Sequence, residues 1–430
     1  MITSMRSSTK WFHGFALCRT VVGAIPCVMT LLIFHQLLNG GVCLFSTDDN
    51  IGAMAAAKHT YQSALPGYWM DLSLLGTAGG CFSPAWINFF LLALPSSDFI
   101  NWIHAVDMVL GSLFLMFFLR SQGLTTTAIL LGGLGTFWLG CNLTIVYAGH
   151  TPKFGVLMLA TCALYGVGRL EATSKVSWAL IAGGALGAMF LEQLDVALYF
   201  GLLLGAYALF TLWRKPQIVW WKHCVYLMLP FGLMAFWLAT PGLLQGYLQN
   251  VKNIIQVAPE DHRAKWYFVT QWSLPPEESG ELAMPGYYGW RSGEPEGNYW
   301  GRLGRSENWA LTGQGFMNFK LDNWYVGVVL LLFASLASLR VWMVGREDDD
   351  RLRVVIVFWL STLVITLLLS FGKFFPLYKL FYQLPVVNNI RNPVKFMPLF
   401  QLTLSILAAY GLHIVLKLAG CITTRKNLPI

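Results

Sequence analysis

Long stretches of this chain contain no Asp, Glu, Lys or Arg, among them 20–47, 121–152, 176–191, 196–213, 223–251, 354–372 and 396–416. Crossing a bilayer as a helix takes about 20 mostly apolar residues. Inside hydrocarbon, only helices and closed barrels satisfy their own backbone hydrogen bonds. Runs of this length point to helices. Of 430 residues only 12% are charged and 56% are hydrophobic. A soluble domain carries about 25% charged residues, so this chain cannot clothe a water-facing surface of its size. That excludes a soluble enzyme, a disordered tail and a secreted disulfide scaffold.

Adding interrupted runs gives an all-α polytopic bundle of about ten spans, near 20–42, 100–119, 125–147, 153–169, 176–192, 195–213, 221–240, 323–343, 353–371 and 396–417. The apolar segment 86–95 (WINFFLLALP) is too short to cross and reads as an interfacial or re-entrant helix. GGALG at 183–187 suits close helix packing. Three regions follow: an N-terminal membrane region 1–240 with a first external loop 43–99, a Trp/Gly/Pro-rich external insertion 241–322, and a C-terminal membrane region 323–430.

Lys and Arg near span ends set orientation. Arg6, Lys10 and Arg19, Arg120, Arg169 with Lys175, Arg214 with Lys215 and Lys222, Arg346 with Arg351 and Arg353, and Lys417 with Arg425 and Lys426 fall on one side. That side is expected to be cytoplasmic, with both termini in it, in a multi-pass plasma (inner) membrane protein. The first run is too long for a signal-peptide core and reads as a retained anchor. The net charge of +8 is then explained by orientation and anionic headgroups, and no nucleic-acid partner is expected. The eight cysteines form no C-x-x-C. A Cys43–Cys81 disulfide is geometrically open. No haem, nucleotide or zinc motif occurs. His35, His104, His223 and His413 lie on different spans and read as buried or interfacial hydrogen bonders.

Ionisable groups at the external ends of spans carry the chemistry. Asp48-Asp49 follow the first span in STDDNIG. They suit a general base or a divalent cation, or simply a helix cap. His150 and Lys153, in YAGHTPKFG, stand at a helix start shaped by Pro152, which suits an anion or an ordinary polar turn. Glu192 and Asp195 (FLEQLDVALYF) form either a second acidic wall or a short turn. Arg391 and Lys395 (NNIRNPVKFMP) suit phosphate, or interfacial anchoring. Together, carboxylates beside a basic set fit a phosphate-bearing lipid donor and a neutral hydroxyl acceptor: cations stabilise the leaving phosphate and a carboxylate takes the acceptor proton. Trp266, Tyr267, Trp272, Trp290, Trp300 and Trp309 would stack on the acceptor sugar or build a small folded cap.

The stretch SPAWINFFLLALPSSDFINWIHAVDMVLGSLFLMFFLRSQGL, followed by a span and YAGH, resembles the bacterial YfhO-type membrane proteins of the GT-C glycosyltransferase superfamily. The matching positions are Pro84, Pro95, His104, Arg120 and Gly123, then Gly149-His150 and the Arg391-x-Pro393-x-Lys395 pattern. The likeness covers residues 20–215 and 370–417. It implies a GT-C-like fold and transfer of a sugar from a polyprenyl-phosphate carrier on the external face. It also implies that an acid of the first external loop acts as base or metal ligand, the place of Asp48 and Asp49. The alternative class is a non-catalytic membrane subunit that docks a partner through 241–322. A flippase would be expected to show internal repeats, and none is visible.

Overall fold

The structure is a computed structural model that describes residues 23–39, 41–44, 48–63, 68–70, 77–79, 84–214, 224–250, 261–289, 299–303, 324–343, 350–384 and 387–426. Cys81 and His223, the basic residues up to 19, Lys215, Lys222 and Arg346, and Trp290 and Trp309 lie outside them. Cys43 is a free thiol.

The described chain is almost entirely helical. After α1 (Gly23–Ile33) come α2 (Ile51–Ser63), α3 (Trp86–Ala93), α4 (Ser96–Ser121), α5 (Thr126–Phe137), α6 (Gly140–Ala148), α7 (Thr151–Thr173), α8 (Val176–Glu192) and α9 (Leu194–Trp213). The second half holds α10 (Leu229–Asn250), α11 (His262–Thr270), α12 (Val328–Met343), α13 (Asp350–Ser370), α14 (Pro376–Tyr382) and α15 (Met397–Lys426). Seven helical segments are long and apolar enough to cross a membrane: Ser96–Ser121, Thr126–Ala148, Thr151–Thr173, Leu194–Trp213, Val225–Leu244, Arg351–Ser370 and Pro393–Gly420. Three shorter apolar helices, α1, α8 and α12, occupy the other expected spans, so among the described residues seven of the ten expected spans meet the length and composition for crossing.

The outer surface agrees with a lipid setting. Trp342 is 83% exposed, and Phe236, Trp237, Trp213 and Leu332 are also exposed. A water-facing protein would not leave so large a set of apolar side chains uncovered.

Inside, glycines set the helix spacing. A Cβ on Gly183 would lie 2.2 Å from the Phe231 carbonyl oxygen, and one on Gly187 2.5 Å from that of Ala235. The expected close packing at GGALG is therefore the α8–α10 contact. The same contact corrects the boundary at 240/241. Pro241 does not end α10, which runs on to Asn250, because Gly242 continues the seam against the Phe190 carbonyl oxygen (a Cβ there would lie 2.3 Å from it). Membrane helices tolerate such a proline where neighbours support the backbone.

The span expected at 125–147 is broken at Trp138-Leu139. Asn142 Nδ2 donates to the carbonyl oxygens of Thr136 (2.6 Å) and Phe137 (3.3 Å), satisfying carbonyls at the end of α5. Trp138 Nε1 donates to Ser112 Oγ on α4 at 3.1 Å. The first loop contains two helices, α2 and α3, the latter over the apolar segment 86–95. It also holds a short antiparallel pair, Tyr68–Met70 with Thr77–Gly79, a local feature of an otherwise all-helical chain among the described residues.

Successive helices run up and down, so the ends sort into two groups. At one end, Thr125 N donates to His413 Nδ1 (3.0 Å) and Arg214 pairs with Glu171 (3.4 Å). Arg120, Arg169 and Lys417 belong to helix ends of the same polarity. At the other end lie the start of α7, the α8–α9 turn and the start of α15.

Candidate functional site

The site is organised by the first turn of α7. Gly149 adopts a left-handed conformation (φ 83°) that ends α6, and His150 becomes the N-cap of α7, with Pro152 in the first turn. Five of the candidate positions gather around residues 150–155.

His150 Nε2 lies 3.4 Å from Asp48 Oδ2, with 41% of each side chain exposed. The backbone N–H of Asp48 donates to the Ala148 carbonyl at 3.2 Å, which ties the first loop to this turn. Thr151 N–H donates to Asp49 Oδ2 at 3.2 Å. The expectation of an anion at this helix start is thus met from within the chain: the anion is the Asp49 carboxylate. The two adjacent acids, equivalent in sequence, are separated by structure. Asp48 faces an imidazole and solvent, while Asp49 supplies negative charge to the positive end of a helix dipole.

On the inner side of the same turn, Lys395 Nζ and Asp195 Oδ2 form an ion pair with about a fifth of each side chain exposed. Asp195 also accepts the N–H of Val196 (2.7 Å) in the first turn of α9. Lys153 joins this pair electrostatically, feeling Asp195, Lys395 and the buried Cys141 thiol. Lys395 thus pairs with Asp195, and Lys153 adds a second positive charge near the pair. This local excess of positive charge suits an incoming phosphate.

Glu192 turns back from the end of α8 over α7. A Cβ on Gly155 would lie 3.1 Å from the Glu192 carboxyl carbon, so the two residues pack closely. Its Oε1 accepts the Ile87 N–H of α3 at 3.3 Å. Arg391 is exposed, and its guanidinium lies 4.5 Å over the Phe268 ring of α11. Asn392 N–H donates to the Val269 carbonyl (2.9 Å) and Val394 N–H to that of Trp272 (3.2 Å), so the segment before α15 is pinned by the insertion. Among the described residues, no contact joins Arg391 to the Lys395–Asp195 pair.

The aromatic residues of the insertion divide. Trp272 is only 3% exposed, and Trp266 packs edge-on against Tyr382 of α14 (4.9 Å). Both build a cap over the 370–395 segment. Trp300 stays open, at 59% exposure. The cap is further held by Glu277, whose carboxylate accepts from Arg302 Nε at 2.6 Å. That hydrogen bond holds the Glu277 carboxyl below its ordinary range.

Sequence reasoning missed Asp107. It is fully buried in α4, and its Oδ1 accepts the Trp86 indole N–H at 2.9 Å. The signal was present: a carboxylate in the middle of a span needs a partner or a purpose. No group of three or more His, Cys, Asp or Glu among the described residues is placed to hold a metal ion. No known protein-family model, no curated protein and no solved structure matches this chain.

Proposed function

We infer that the chain is an integral membrane glycosyltransferase of GT-C type that moves a sugar from a polyprenyl-phosphate donor to a hydroxyl acceptor on the external side. The observation that carries this reading is the gathering of an open carboxylate–imidazole pair (Asp48, His150) and a two-lysine, one-carboxylate cluster (Lys153, Lys395, Asp195) around one helix start. The first suits removal of a proton and the second suits a departing phosphate.

In this mechanism the acceptor hydroxyl oxygen attacks the anomeric carbon, and its proton passes to Asp48. The bond from the anomeric carbon to the phosphate oxygen breaks, and its electron pair leaves on the polyprenyl phosphate. Lys395 and Lys153 offset the charge that grows there. Asp49 positions the start of α7, and His150 orients Asp48. The basic opposite end faces the cytoplasm.

A second feature supports a lipid-borne donor. An apolar cleft of about 470 Å³ opens between α9, α13 and α14, lined by Tyr199, Ala206, Thr366, Leu380, Phe396 and Leu399 among others. Phe396 stacks on Tyr199 (4.1 Å between centroids) and follows Lys395 directly, so the cleft begins beside the lysine cluster. A hydrocarbon tail seated there would bring its headgroup to those lysines.

The test is reconstitution of Asp48→Asn and Asp49→Asn variants in vesicles containing polyprenyl-phosphate sugar, read as release of polyprenyl phosphate. Asp48→Asn is expected to abolish turnover and Asp49→Asn to reduce it. Undiminished turnover in both would remove the acids from the reaction. A wild-type protein that purifies with a stoichiometric partner and turns over no donor would favour the subunit reading.

A further inference from the structure

Two carboxyl groups from different helices meet at the start of α3. Asp107 of α4 accepts the Trp86 indole N–H through Oδ1, and Glu192 of α8 accepts the N–H of the next residue, Ile87, through Oε1. The two acids therefore hold adjacent residues of one helix start. Each retains a second oxygen, Asp107 Oδ2 and Glu192 Oε2, that is buried without a hydrogen-bond partner. His104 lies one helical turn before Asp107, 3% exposed, with neither ring nitrogen meeting a partner of good geometry and its edge on Phe154 of α7 (5.2 Å).

No cation balances this pair among the described residues. The nearby lysines, Lys153 and Lys395, face Asp195. His150 faces Asp48, and α3 contributes only N–H groups. Two ionised carboxylates inside a membrane bundle, each short of a partner, are costly enough that a positive charge must enter or a proton must stay. We propose that Asp107 and Glu192 form a buried site for one monovalent cation, a proton or Na⁺, held between α3, α4 and α8. The ion fastens α3, and with it the first loop, to the bundle. This site does not depend on the reaction proposed above.

The test uses the full chain in detergent micelles. Thermal unfolding is followed in sodium and in choline at equal ionic strength, across mildly acid to mildly alkaline pH, for the wild type and for Asp107→Asn/Glu192→Gln. If the occupant is Na⁺, the wild type unfolds a few degrees higher in ~100 mM sodium than in choline, and the double variant does not. If it is a proton, sodium has no effect, the wild type loses stability relative to the double variant as pH rises, and its infrared spectrum shows the C=O stretch of a buried protonated carboxyl. The infrared and sodium measurements need only the wild type, so poor folding of the variant leaves them intact. A wild type with no protonated-carboxyl band and no sodium dependence overturns the site.

Discussion

The Lys395–Asp195 pair gives the sharpest quantitative expectation, because its surroundings are asymmetric. Breaking a fully buried pair costs about 3–5 kcal/mol, while an exposed one is worth about 0–1 kcal/mol. With 20% of the Lys395 and 24% of the Asp195 side chain open, removing one partner should cost about 2–3 kcal/mol. The two removals differ. Lys395→Met leaves Asp195 with Lys153 still nearby. Asp195→Asn leaves Lys395 and the nearby Lys153 without the carboxylate that offsets their charge, which adds repulsion. The asparagine still offers an oxygen to Val196 N–H, so loss of that hydrogen bond does not explain the difference. The assay is a double-mutant cycle by denaturant unfolding in mixed micelles. Asp195→Asn should be the worse single change, and the double variant should fall short of additivity by about 1–2 kcal/mol. Additive costs, or a worse Lys395→Met, would refute this charge arrangement.

Other expectations follow from the same contacts. Gly187→Val would drive side-chain atoms into the Ala235 carbonyl and cost at least about 1–3 kcal/mol, read as loss of the monodisperse peak in detergent chromatography; Gly205→Ala, which meets nothing within 4 Å, should leave that peak intact. Ala206→Trp would fill the apolar cleft and raise KM for the lipid-linked donor with little change in unfolding temperature, measured against donors of decreasing tail length. Glu277 ordinarily titrates near 4.5, and its hydrogen bond to Arg302 lowers that value in the folded state. Its contribution to cap stability is therefore full above the unfolded pKa and is lost as pH falls through the folded one. Protease protection of the insertion should decline on that acid limb, and Glu277→Gln should flatten the decline.

The membrane character of the chain was readable because it is a property of runs: a stretch free of charge for twenty residues leaves few alternatives to a helix in lipid. The glycine seam was readable for a related reason, since G-x-x-x-G places two missing side chains on one helix face. Where the reading went astray, a single side chain or a neighbouring helix had decided the backbone. The span expected near 221–240 runs on as α10 to Asn250, past Pro241, where Gly242 meets the Phe190 carbonyl. The span through 138 looked continuous, yet Asn142 makes a break tolerable by taking up the carbonyls before it.

The site divides along the same line. Every candidate lay at a span end, where charge is noticeable, and five of them meet at α7 because the chain alternates direction. What distinguishes Asp48 from Asp49 is invisible in STDDNIG, since it depends on Thr151 N–H, a group contributed a hundred residues later. Asp107 was overlooked because it sits in the middle of a span, where a lone carboxyl is easily absorbed into the count of an apolar helix. Its physical cost is highest there, and that cost argues for an occupant. Asp107 and Glu192, buried, hold the start of α3, whereas Asp48, in the same first loop, stays open to water beside His150.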